Sequence, residues 1–164
     1  MGAQMAIPPG SVLTFQDAFL ISISDDCPNE HDVTLDLVLS EGERATWQDE
    51  LTFRVFRPDL VQALNSVNDG IGGDGVPDVG ETVTLTISVL NDGNGRADQV
   101  TGALRYPGGE ITITDSTDAW GDVEPGATAT GQTGFGFEVT APIVDRFALV
   151  LTDENGKEWE HRFD

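Results

Sequence analysis

The sequence predicts an all-β protein folded as an antiparallel sandwich, and three observations predict it. Apolar and polar residues alternate through successive runs, the period that turns one face of a strand inward. Turn signals recur roughly every ten residues, the spacing of short antiparallel strands in a sandwich. The composition agrees, with 38% hydrophobic residues, 19 glycines and 8 prolines, the last two supplying turns. A chain of 164 residues is long enough for one large domain, or one and a half small ones, with a real core.

The alternation starts in VLTFQDAFLISIS (residues 12–24), where Phe19, Ile21 and Ile23 share a face, and predicts a strand. DDCPNEH is a turn, and DVTLDLVLS alternates again through Val33, Leu35, Leu37 and Leu39. After a hairpin connection at 41–44, ATWQDELTFRVF returns with Trp47, Leu51, Phe53 and Val55. Arg57, Pro58 and Asp59 interrupt the pattern as a linker would. LVQALNSV (60–67) reads equally as a short helix or an opening edge strand. ETVTLTISVL places Val83, Leu85, Ile87 and either Val89 or Leu90 inward, and is the most strand-like run in the chain. NDGNGRA is a turn suited to positive φ. Further strands are expected at QVTGALRYP, EITIT, a short ATAT, GFGFEVT, FALVLT and EWEHRF.

The two ends of the chain match each other. Pro9-Gly10 is followed by Phe19, Ile21 and Ile23, and Pro125-Gly126 is followed at the same offsets by Phe135, Phe137 and Val139. Leu37, Leu39 and Trp47 likewise correspond to Leu149, Leu151 and Trp159, with one indel in the turn that contains Cys27. Two matching blocks in order indicate an internal repeat. The expected organisation is therefore a partial module over 1–56, equivalent to the second half of a unit, followed by a complete module over 57–164. A half sandwich leaves strand edges unpaired and an apolar face uncovered. Docking onto the complete module, completion by another chain, or a cut through a longer array would each account for it.

The candidate site is the stretch 66–82, SVNDGIGGDGVPDVGET. It sets Asp69, Asp74, Asp78 and Glu81 among five glycines, with no basic residue between Arg57 and Arg96. Carboxylates gathered without positive partners are unfavourable unless water or a cation screens them. Ca2+, ahead of Mg2+, suits a flexible loop that offers many oxygens. The EF-hand spacing is not met. Counting from Asp69 puts Ile71, Gly73 and Gly80 at the later ligand positions, and counting from Asp74 puts Val76, Asp78 and Leu85 there. What remains is a loop entering a strand, with Asp69, Asp74 and Asp78 as side-chain ligands and Glu81 either ligating or capping loop amides. Asn68 and Asp92 are weaker candidates. Its place in the sequence, just after the linker, predicts a clamp at the seam between the two modules.

The chain carries 29 acids against 8 bases, a formal charge of −21, so nucleic acid and anionic membrane surfaces are poor partners. No run approaches the length of apolar residues that spans a bilayer, and the first ten residues do not form a signal peptide. The lone Cys27 excludes an intrachain disulfide and a cysteine-based zinc site. It is expected half-buried, with His31 and His161 at the surface. No Ser or Cys stands in a nucleophile motif, so no enzyme is expected. Trp47, Trp120 and Trp159 would suit a carbohydrate platform, yet the equivalence of Trp47 and Trp159 favours a core role.

The stretch GGDGVPDVGETVTLTISVLNDGNGRA resembles the GDG-x-x-D-x-G-E-T-V opening, strand and N-x-G turn of immunoglobulin-like modules in bacterial secreted and surface proteins. These are the CARDB-like modules, such as those C-terminal to gingipain-type C25 peptidases. AWGDVEPGATA, GFGFEV and LTDENGKEW resemble their later strands. The resemblance covers 57–164 in full and 8–56 as a half copy, and departs from the common pattern at Val79, where proline is usual. It implies an immunoglobulin-like sandwich acting as a non-catalytic extracellular or cell-surface spacer with a Ca2+-ordered loop. The implied partners are neighbouring modules or copies of the chain itself, including a homopolymer. The alternatives are a subunit of an extracellular filament assembled by strand complementation, or a carbohydrate- or protein-binding accessory domain of a secreted hydrolase.

Overall fold

A computed structural model describes residues 8–12, 14, 16, 19–24, 26–70 and 73–164. The alternating runs form eleven antiparallel strands among them, with no helix. The first two, β1 (His31–Glu41) and β2 (Ala45–Val55), make a two-stranded ribbon of their own. The others are β3 (Leu60–Asn68), β4 (Thr82–Asn91), β5 (Ala97–Arg105), β6 (Ile111–Asp115), β7 (Thr117–Val123), β8 (Thr128–Thr130), β9 (Phe135–Val139), β10 (Phe147–Thr152) and β11 (Glu158–Phe163).

These nine build two facing sheets. One has the order β11-β10-β5-β7, the other β3-β4-β9-β6 with β8 paired to β4. The β3-β4-β9 order set against β11-β10-β5 is that of strands A-B-E and G-F-C in an immunoglobulin-like sandwich. The run 111–123 changes sheets at Ser116, its first part pairing with β9 and its second with β5.

The core lies between the sheets. Val83, Leu85, Ile87 and Val89 alternate inward from β4, and Phe135, Phe137 and Val139 do the same from β9. They meet Val100 and Leu104 of β5, Trp120 of β7, and Phe147, Leu149 and Leu151 of β10. Trp120 is buried and its indole N–H donates to the Ile87 carbonyl at 3.0 Å, joining the sheets through a bond as well as through packing. Gly102 makes that position possible, because a Cβ there would stand 2.7 Å from the Trp120 ring.

Several expectations are corrected. Residues 60–68 are a strand, which settles the helix-or-strand ambiguity. β7 was not expected, since its sequence TDAWGDV has Asp and Gly where an alternating strand has apolar residues. Part of the strand expected at 12–24 falls outside the described residues. Of those described, 19–24 take no strand conformation, and Phe19 is 74% exposed. Trp120 is enclosed by the core and unavailable as a stacking platform, whereas Trp47, expected inside, is 55% exposed. His161 is not a free surface residue, since its Nε2 lies 2.8 Å from the Leu60 carbonyl and ties β11 to β3. Cys27 is half-buried as expected, its thiol 3.7 Å from the Pro28 carbonyl.

Two hairpins share a register. In β1–β2, Leu35 pairs with Leu51, Leu37 with Asp49 and Leu39 with Trp47. In β10–β11, Phe147 pairs with Phe163, Leu149 with His161 and Leu151 with Trp159. Every position is related by the same offset of 112 residues. Gly10 and Gly126, after their prolines, are both in the left-handed region, at φ 75° and 72°.

Candidate cation-binding loop and the two poles

The loop between β3 and β4 is built from carboxylates that accept hydrogen bonds from its own backbone. Asp69 is half-buried, and its Oδ2 accepts from the Gly75 N–H at 2.9 Å. Its carboxylate lies across Gly73, where a Cβ would come within 1.8 Å of Oδ1, so this fold of the loop requires glycine there. Asp74 Oδ1 accepts from the Val76 N–H at 3.0 Å, a local Asx turn. Glu81 Oε2 accepts from the Asp78 N–H at 2.7 Å, while the Glu81 N–H returns to the Asp78 carbonyl at 3.1 Å. Of the two roles expected for Glu81, the capping one is seen here. Gly80 N–H and the Glu81 carbonyl both bond Val139, fastening the end of the loop to β9.

The four acids are thus distributed along the loop. Asp69 sits beside Gly75, and Glu81 folds over Asp78. Among the described residues, no three His, Cys, Asp or Glu side chains converge, and Ile71 and Gly72 lie outside them. The donor set is all oxygen, which fits a hard cation. One carboxylate oxygen each of Asp69, Asp74 and Glu81 is engaged by loop amides. Each of these carboxylates keeps its second oxygen for ligation, since an ionised carboxylate accepts at two oxygens.

The position of the loop is a correction. β3 runs from Leu60, paired with Asn91, to Asn68, paired with Thr84. Nine extended residues span roughly 30 Å, so the loop lies at the opposite pole from the linker at 57–59. It cannot clamp the seam between ribbon and sandwich. Its pole also holds Ile143, Val144, Phe163 and Asp164, which share a groove with Val76, Pro77, Asp78 and Val79.

The seam itself is held by backbone and side-chain bonds together. Asn91 is fully buried and serves four bonds. Its Nδ2 donates to the carbonyls of Gly95 at 2.8 Å and Val123 at 3.0 Å, and its Oδ1 accepts from Asp59 N–H and Gly93 N–H, each at 3.1 Å. The N–H groups of Asn94 and Gly95 both donate to the Arg57 carbonyl. A Cβ on Gly93 would stand 2.4 Å from that carbonyl oxygen and from the Asp59 nitrogen. From the ribbon side, Asn29 Oδ1 accepts from the Arg57 N–H at 2.8 Å, and the Arg57 guanidinium donates to the Cys27 carbonyl at 2.9 Å. Asn94 and Glu30 add a side-chain contact.

Sequence reading found the turn at 91–95 but missed Asn91 as its hub. It also missed Asp118, whose buried carboxylate accepts from the N–H groups of Ala119, Thr133 and Gly134 and from the Thr133 hydroxyl, at 2.8 to 3.1 Å. The available signal was Asp118 two residues before Trp120, which shares its face.

Compared with known proteins, the chain matches no family model and no curated protein.

Proposed function

We propose that residues 57–164 are a non-catalytic, extracellular spacer module of the CARDB-like kind, set in a row with modules like itself and stiffened by Ca2+ at the 66–82 loop. The observation that carries this reading is the separation of the poles. The chain enters the sandwich at 57–59, against the 91–95 turn, and reaches Asp164 at the other pole, beside Val76, Pro77 and Val79. A unit whose residues 57 and 164 lie at opposite poles can transmit position along a line, as a spacer must. The matching registers of the two hairpins support a repeated unit. Asp69, Asp74, Asp78 and Glu81 are the proposed ligands, and an ion held there orders the exit pole, where a following module would abut.

The test is calorimetric. Protein freed of metal by a chelator is melted with and without added Ca2+. A ligand that binds only the folded state stabilises it by about 2.7 kcal/mol at a hundred times its dissociation constant. The reading expects a rise in Tm with Ca2+ that Asp74→Ala reduces. An unchanged Tm over millimolar Ca2+ would overturn the cation-ordered loop.

A further inference from the structure

We infer that the β1–β2 ribbon is the acceptor face of a split sandwich, and that its occupant is a half-unit of the same make as residues 57–123. That half-unit lays a β5-type strand antiparallel along 36–40 of β1. The inference rests on the reading of a row of like units and names which surface of the leading unit is incomplete and what completes it.

The sandwich displays the occupied form of this face. β10 has two neighbours, β11 on one edge and β5 on the other, with Ala148 paired to Arg105 and Thr152 to Thr101. At the common offset, those five positions of β10 fall on 36–40 of β1. Among the described residues β1 pairs with β2 alone, and its second edge has no strand beside it. Side chains follow the same division. Leu149 and Leu151 are fully buried, whereas their counterparts Leu37 and Leu39 are half-buried and 56% exposed respectively.

A second segment lacks the same partners. Residues 19–23 carry the pattern of β9, displaced by the four-residue indel before the ribbon. β9 is held on both edges, by β4 and by β6. Residues 19–23 have no strand pairing, and Phe19 stands exposed. The hairpin forms because its two strands pair with each other. The β9-like segment stays unpaired because every partner it needs belongs to the other half of a unit. Both deficits point to counterparts of β4, β5 and β6, and residues 57–123 contain these strands between β3 and β7.

The occupant's chemistry follows from β5. Its inward positions are Val100, Gly102 and Leu104, the glycine admitting the indole of Trp120. A second intact copy of this chain fits poorly, since its own β5 is already paired on both edges.

The experiment joins a duplicate of residues 57–123 ahead of Pro8, in place of residues 1–7, so that Pro9-Gly10 takes the part of Pro125-Gly126. Hydrogen exchange is read at amides 36–40, with 82–91 as the internal measure of a folded sandwich. Exchange at 36–40 is expected to slow by roughly 100-fold or more, and Leu39→Asp is expected to restore the fast rate while leaving 82–91 unchanged. Fast exchange at 36–40 beside a protected 82–91 overturns the inference. So does protection already present in the unextended chain that grows with concentration alongside a dimer in sedimentation, which would make a second copy the occupant. Should the extended chain misfold, the intact chain is titrated with a peptide of residues 97–105. Protection of 36–40 that Leu39→Asp abolishes supports the inference, and none at millimolar peptide overturns it. A missing Ca2+ response would sink the cation-ordered spacer and leave this result standing; the converse outcome would do the reverse.

Discussion

Two buried side chains, Asn91 and Asp118, organise the backbone where the strands cannot. Each satisfies four groups that would otherwise be lost to solvent or left unpaired. Removing a partner from buried donors costs more than the bond contributes, because the donors stay desolvated. Asp118→Ala is therefore expected to lower stability by about 3 kcal/mol, read as a drop in the denaturant midpoint at constant m. Gly93→Ala acts at the seam, where its new methyl meets the Arg57 carbonyl and the Asp59 nitrogen. A cost of roughly 1–3 kcal/mol is expected from this overpacking, with faster exchange at the Asn94 and Gly95 amides. Neither role was legible beforehand. Alternation identifies which residues face inward, but the partner of an inward polar group is fixed by strands distant in sequence.

At the scale of elements, β5 and β7 meet through an irregular ladder. The register shifts between Ala97 and Val100 and again between Val100 and Thr101, and Gln99 takes φ 50°. Asp122 steadies this bulge. Its Oδ1 accepts from the Gln99 N–H at 3.0 Å, and its other oxygen meets the Arg96 guanidinium. The Gln99 amide foremost, then the hydrogen bond and charge of Arg96, hold the Asp122 carboxyl below the usual aspartate range. A pKa lower in the folded state means that the stabilisation is complete above the unfolded value and is lost as pH falls through the folded one. Asp32, paired with Arg54 across the ribbon, is lowered in the same sense. Acid titration below about pH 4 should therefore loosen the β5–β7 bulge and the base of the ribbon. Asp122→Asn should flatten the bulge's share of that dependence, as followed by amide chemical shifts at Gln99 and Val100. Elements with clear apolar patterning, β1, β2, β4, β9 and β10, were readable from sequence. β7 was not, because its inward positions are filled by Asp118 and Trp120 and a glycine interrupts the rest. Residues 19–24 have strand patterning without strand structure, since pairing requires a neighbour that periodicity alone does not provide.

At the scale of the molecule, the distance between the linker and the acidic loop decides what either can do. The loop's acids and glycines were legible in the sequence, but its pole was not, because adjacency along the chain says nothing about the direction in which β3 carries it. Ca2+ is accordingly expected to slow exchange at 75–81 and to leave the Asn94 and Gly95 amides at the seam unaffected. Equal protection at both poles would refute this localisation. The opposite placement of residues 57 and 164 has a mechanical consequence. Tension applied through those residues runs along β3 and β11 and shears their ladders, so many hydrogen bonds share the load and must fail together. The ribbon is loaded differently. His31 and Val55 face each other at its base, so pulling there opens one pair at a time. Stretched end to end, the ribbon would yield first and at low force while the sandwich held, giving one polypeptide a compliant segment in series with a stiff one.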